Sequence, residues 1–187
     1  MAQILIVYAS DYGNTEKMAL ATADGVNSVD GANAVVKKAE EVTADDMTAS
    51  EGVIIGSPVH MGSVDWRVKK FIDTVCSGLW MQDKMNGKVA GVFTSGGGFG
   101  GAGGGTEIAM LSILNNIAEL GMLIVPLPKN TENYKKGGLH WGPYGRSGDE
   151  NMEHVGVSDE ALSVAKKHGA NVARATIATN NQTIFVA

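Results

Sequence analysis

Residues 3–9 form a near-continuous apolar run rich in branched side chains, closed by Ser10-Asp11-Tyr12-Gly13. A run without polar alternation predicts a strand buried on both faces. From Asn14 the period lengthens: Met18, Ala19, Ala21, Ala23 and Val26 predict a helix that stops at Val29-Asp30-Gly31. Ala34-Val35-Val36 reads as a second strand and Gly52–Gly56 as a third, halted by Ser57-Pro58. Residues 65–76 read as a helix with Trp66, Val68, Phe71, Ile72 and Val75 on its buried stripe. On that helix Arg67, Lys69 and Lys70 fall on the solvated side and Cys76 in the core.

Val89–Phe93 predicts a fourth strand running into a glycine tract, and Thr106 to Leu120 a helix stopped at Gly121. Met122–Val125 is the fifth strand, ended by Pro126; residues 127–157 carry no clear period, and a last helix runs from Ser158 to Ala178. Five strands alternating with helices, with no repeat or linker between them, predict a single α/β domain over residues 1–187. Its parallel sheet is covered on both faces.

Composition narrows the chemistry. The 20 acidic residues outnumber 15 basic ones for a net charge of −5, and no Lys/Arg cluster is visible along the chain. Neither nucleic acid nor an anionic membrane is therefore an expected partner. No apolar run approaches the ~18 residues that cross a bilayer. The chain enters its first strand with no signal segment, so a cytoplasmic protein is expected. A single cysteine excludes an internal disulfide and a multi-cysteine metal site, and no metal is expected.

In an open parallel sheet, ligands bind beyond the carboxyl ends of the strands, and three unusual segments fall there. Ser10-Asp11-Tyr12-Gly13-Asn14-Thr15 combines small hydroxyls, a glycine turn and a helix start with free N–H groups, which suits a terminal phosphate monoester. It has neither the Gly-x-Gly-x-x-Gly nor the Gly-Lys-Ser/Thr pattern of other phosphate loops, and read alone it is also an ordinary N-cap. Ser57-Pro58-Val59-His60-Met61-Gly62-Ser63 offers exposed backbone against which a flat ring could lie, or is a plain connector. Thr94-Ser95-Gly96-Gly97-Gly98 opens a tract with eight of the chain's 25 glycines between Gly96 and Gly105. Glycine at that density costs chain entropy, which a ligand needing close backbone would offset. His140 and Tyr144, in the long loop after the fifth strand, read as lid components, His154 and His168 as surface residues, and Trp141 as packing of the loop or a subunit contact.

These residues carry a family resemblance. Ser10-x-Tyr12-Gly13, Ser57-Pro58 with Gly62, Gly78-Leu79-Trp80, the Ser/Gly stretch before Glu107, Gly121-Met122 through Val125-Pro126, and Pro143-Tyr144-Gly145 resemble the WrbA-type NAD(P)H:quinone oxidoreductases, which are flavodoxin-like. The resemblance implies a flavodoxin-like, doubly wound five-stranded sheet of order 2-1-3-4-5. It implies FMN held through its phosphate by Ser10–Thr15, with the ring between residues 57–64 and Thr94–Gly98. It further implies NADH or NADPH as co-substrate, a quinone as acceptor in a ping-pong reaction, and a homo-oligomer, dimer or tetramer. His60, Trp80 and Tyr144 are then the residues expected to act on substrate. Three departures stand out: the short Lys37–Ser50 segment, Leu120 where the family has a histidine, and Val59-His60-Met61 where it has Thr-Arg-Phe. The alternatives are a flavodoxin that carries electrons between protein partners and a non-catalytic FMN-binding protein.

Overall fold

In a computed structural model the chain is described over residues 1–98 and 103–185; Phe99–Ala102 of the glycine tract and residues 186–187 lie outside the described residues. The first apolar run forms β1 (Ala2–Tyr8), whose side chains alternate between two cores. Leu5 and Val7 join one, and Ile4, Ile6 and Tyr8 the other, which is why the run shows no polar alternation. Around it lie β2 (Ala32–Lys38), β3 (Gly52–His60) and β5 (Val89–Gly96), in the order β2-β1-β3-β5 and all parallel. A strand position beyond β5 completes the 2-1-3-4-5 order expected for a flavodoxin-like sheet.

Helices cover both faces. α1 (Asn14–Asn27) and α7 (Asp159–Thr179) pack on one, α3 (Trp66–Phe71) and α5 (Thr106–Glu119) on the other. α1 and α7 approach backbone to backbone through glycines. A Cβ on Gly25 would stand 1.8 Å from the Lys166 carbonyl oxygen, and one on Gly169 2.1 Å from that of Thr22. Ser158 caps α7 by accepting from the Ala161 N–H.

The structure corrects several sequence boundaries. β3 does not stop at Ser57-Pro58. It runs to His60 and turns through Met61 (φ 48°) and Gly62 (φ 76°) into β4 (Ser63–Val64), a two-residue hairpin with both central residues at positive φ. The helix from Trp66 continues through a π segment (Ile72–Cys76) and α4 (Ser77–Trp80). Trp66, assigned to its buried stripe, is 64% exposed. α2 (Ala44–Ala49) escaped the periodicity because Met47 alone is buried on it; Thr43 and Asp46 form its capping box.

The fifth strand is split. β6 (Leu123–Ile124) pairs with the start of β5 and β8 (Gly142–Arg146) with its end, opposite Thr94–Gly96. Between them, Pro126 and Pro128 cannot donate to a ladder, and the chain leaves the sheet through α6 (Tyr134–Gly137) and β7 (Gly138–Leu139). A Leu127 N–H bond to the His140 carbonyl closes that excursion. Tyr144, expected in a lid, instead lies in β8 across from Thr94, and His140 stacks at a tilt on Trp141.

Two other assignments fail. His168 is not on the surface: it is fully buried against β5, where a Cβ on Gly91 would come within 2.8 Å of Nε2. Burial pushes its pKa down to about 4. Arg67 is not solvated; its side chain is 12% exposed. Cys76 is buried as expected, and burial raises its thiol to about 12. No helix among the described residues is long and apolar enough to cross a membrane.

Candidate functional site at the carboxyl edge

β1 ends at Tyr8 and the chain turns through Gly13 (φ 78°) straight into α1. Gly13 provides no side-chain cap, so the first peptide N–H groups of a fourteen-residue helix face the loop without intrahelical partners. Tyr8 donates to Glu16 at 2.8 Å; burial and that carboxylate raise its phenol to about 12. Thr15 shares a buried 2.7 Å hydrogen bond with Ser95, which ties the helix start to the end of β5.

The hydroxyls of Ser10 and Thr94 are buried and have no hydrogen-bond partner among the described residues. A buried hydroxyl left unpaired costs about 1–3 kcal/mol, so both invite an acceptor from outside the chain. A cavity of about 160 Å³ opens here between Ser10, Thr15, Pro58, Gly97, Ser147 and His154. Orphaned hydroxyls, an uncapped helix start and no lysine or arginine among the described residues lining the cavity match the chemistry of a phosphate ester.

The second segment is held from beneath. Ser57, fully buried, donates to the Pro58 carbonyl at 2.8 Å and accepts from the Asp65 N–H at 2.9 Å, so its hydroxyl serves the hairpin. Val59 packs on Gly96, where a Cβ would sit 3.1 Å away. The tip of the hairpin touches the start of α5: a Cβ on Gly105 would stand 2.4 Å from Gly62. Met61 is fully exposed and Ser63 exposed.

A charged cluster that no sequence pattern marks locks this hairpin to the loop between β1 and α1. Asp65, fully buried at the N-cap of α3, accepts from the Arg67 N–H at 2.8 Å and from its guanidinium at 2.9 and 2.7 Å. The same guanidinium donates to Asp11 at 2.8 Å, and His60 lies 3.0 Å from Asp65 and 3.5 Å from Asp11. Burial alone would raise the Asp65 carboxyl; the Arg67 donors and the adjacent charges hold it below the usual range. Those bonds, chiefly the one to Asp65, raise the Arg67 pKa. Candidate ligand atoms of Asp11, His60 and Asp65 lie within 4.8 Å of one another, but Arg67 already supplies the cation they share.

A fourth wall was also missed. The Ser147 and Gly148 N–H groups donate to the Gly96 and Gly97 carbonyls, and a turn built on Asp149 returns the chain so that His154 stacks on Tyr12, centroids 5.9 Å apart. Nothing periodic marks residues 147–156, although Asp149 and Gly156 are turn residues. Ser10–Thr15, Pro58–His60 and Ser95–Gly97 thus converge; Thr94 lies beneath and Gly98 (φ 58°) just beyond. Of the residues expected to act on substrate, His60 alone lines the cavity. Trp80 ends a helix that starts at the rim, some 14 residues and about 20 Å away, and Tyr144 is half-buried in the sheet, with its phenol pKa raised by desolvation.

Comparison with known proteins places the fold. Residues 5–98 match the model of a flavodoxin domain. A flavodoxin of Aquifex aeolicus is 37% identical over 142 residues, 76% of this chain and 73% of that protein. The crystal structure of a flavodoxin, WrbA-like protein from Agrobacterium tumefaciens superposes with a TM-score of 0.73 at 26% identity, covering 95% of this chain and 99% of that one. A flavodoxin from the domain Archaea shares the fold at 21% identity, with a TM-score of 0.66 over 94% of this chain and 99% of that one. The strand order and these matches agree: the chain belongs to the flavodoxin family, whose cofactor is FMN.

Proposed function

We propose that this chain is an electron carrier that holds FMN at the carboxyl edge and exchanges electrons with partner proteins across an open rim. The observation that carries this reading is a divergence: the three loops at the carboxyl edge converge, whereas the side chains expected to work on a small substrate do not. Both ring nitrogens of His60 face carboxylates, Trp80 lies at the far end of its helix, and Tyr144 is part of the sheet. Bound FMN supplies the redox chemistry. Ser10, Thr94 and the start of α1 would receive its phosphate, and Pro58, Val59, Gly96 and Gly97 would flank its ring. The 160 Å³ cavity is well below the roughly 300–1,000 Å³ of pockets that enclose a drug-sized ligand. Much of the ring would therefore remain at the surface beside Tyr12, which is 81% exposed. Such an edge suits electron exchange between docked proteins.

A second reading is NAD(P)H-dependent quinone reduction by a homo-oligomer, favoured by the similarity to the WrbA-like protein over nearly the whole of both chains. Anaerobic assays of FMN-loaded protein separate the two. The carrier reading predicts rapid electron delivery from the photoreduced protein to a one-electron protein acceptor such as cytochrome c, with negligible oxidation of NADH or NADPH in the presence of benzoquinone. Sustained turnover of either nucleotide with benzoquinone would overturn it in favour of the second.

A further inference from the structure

Three cations of α7, Lys166, Lys167 and Arg174, border one cavity. Residues 129–136 and 163–174 together carry six lysines and arginines against one glutamate, a charge of +5 that leaves −10 on the remaining chain. The excursion after Pro126 lies across α7, and between them is a cavity of about 550 Å³ whose lining includes Lys166, Lys167 and Arg174 but no acidic residue. Lys166 and Arg174 are exposed and form no ion pair among the described residues. They stand two helical turns apart, about 12 Å along α7, with the small Ala170 between them leaving the floor open. Asn130, Thr131 and Asn171 add neutral polar groups to the same lining. Lys167 is oriented by Glu132 at 2.8 Å and Ser163 at 3.0 Å. Ser28, at the far end of α1 from the phosphate loop, borders the cavity, which places it roughly 20 Å from the flavin site.

We infer that this cavity binds a polyvalent phosphate, free or as the end of a larger phosphorylated molecule. Three cations around one cavity call for more negative charge than a monocarboxylate brings. A guanidinium matches two phosphate oxygens at once and ammonium groups add point charges. No aromatic ring lines the cavity to stack a base, so recognition rests on the phosphate chain and not on a nucleotide. Glu132 is a built-in competitor, because it holds one of the three cations.

Calorimetric titration of protein kept in excess FMN, so that the flavin loop is filled, tests this with tripolyphosphate at physiological ionic strength. Saturable 1:1 binding is expected, weakened at least tenfold in Lys166→Gln/Arg174→Gln and strengthened in Glu132→Gln, an increase that damaged folding would not produce. No saturable binding, or equal affinity in the double variant, would overturn the assignment. Citrate binding as tightly as tripolyphosphate would overturn its phosphate class, and a short single-stranded oligonucleotide binding more tightly would replace the small ligand with nucleic acid.

Discussion

His168 should make the stability of this protein fall steeply in mild acid. Its imidazole is fully buried between α7 and β5, neither nitrogen has a hydrogen-bond partner among the described residues, and burial lowers its pKa from 6.5 to about 4. The folded chain therefore holds a neutral ring where the unfolded chain takes up a proton, so stability drops as pH falls from the unfolded value through the folded one. Linkage over those pKa values gives a loss of about 2 kcal/mol between pH 7 and pH 5, approaching about 3 kcal/mol below pH 4. His168→Met keeps an apolar filling of similar size without the titrating group. Urea unfolding at fixed FMN concentration, at pH 7 and pH 5, isolates the effect because every other ionisable group is common to both proteins. The wild type should lose about 2 kcal/mol more than the variant across that interval. Equal losses would show that the ring is hydrated or paired in solution, and the buried neutral histidine would have to be abandoned.

The remaining predictions concern the site and its frame. Ser10→Ala should weaken FMN binding by about 10- to 100-fold, the worth of one hydrogen bond to a charged group, with an unchanged melting temperature because that hydroxyl has no protein partner to lose; fluorescence titration and thermal unfolding read the two effects. Arg67→Gln leaves Asp65 buried without its guanidinium and should cost about 3 kcal/mol in denaturant unfolding, whereas Asp11→Asn, which cuts the exposed limb of the cluster, should cost under about 1 kcal/mol. Gly56→Ala would place a Cβ 2.0 Å from the Phe93 ring; a melting point reduced by the equivalent of about 1–3 kcal/mol is expected.

The parts of this structure visible in the sequence are those dictated by local pattern. β1 and β5 are buried on both faces, so their apolar runs are unbroken, and Gly13 and Gly121 stand where the chain needs positive φ. The convergence of residues 10–15 on the carboxyl edge was legible because they lie within a few residues of a strand end and a helix start. What escaped depends on contacts between distant segments. Arg67 sits on the polar side of its helix, and only the fold brings Asp11, fifty-six residues earlier, within 2.8 Å of it. β8 reads as loop because Gly142, Pro143 and Gly145 lack strand propensity; its place is set by pairing with Thr94–Gly96. His168 looked like a surface residue because composition cannot show that β5 passes over it at Gly91. The cationic cavity was hidden for a similar reason: its three charges sit on one helix, and only the fold lays the neutral residues Asn130 and Thr131, some thirty positions earlier, beside them.

Binding of FMN to apo-protein, followed by quenching of flavin fluorescence with riboflavin as the comparison, is the most direct measurement of whether the carboxyl-edge loops grip a phosphorylated flavin. The geometry of Ser10, Thr94 and the α1 start predicts saturable one-to-one quenching by FMN and markedly weaker binding of riboflavin, which lacks the phosphate. Unquenched FMN fluorescence, or equal affinity for both flavins, would contradict it.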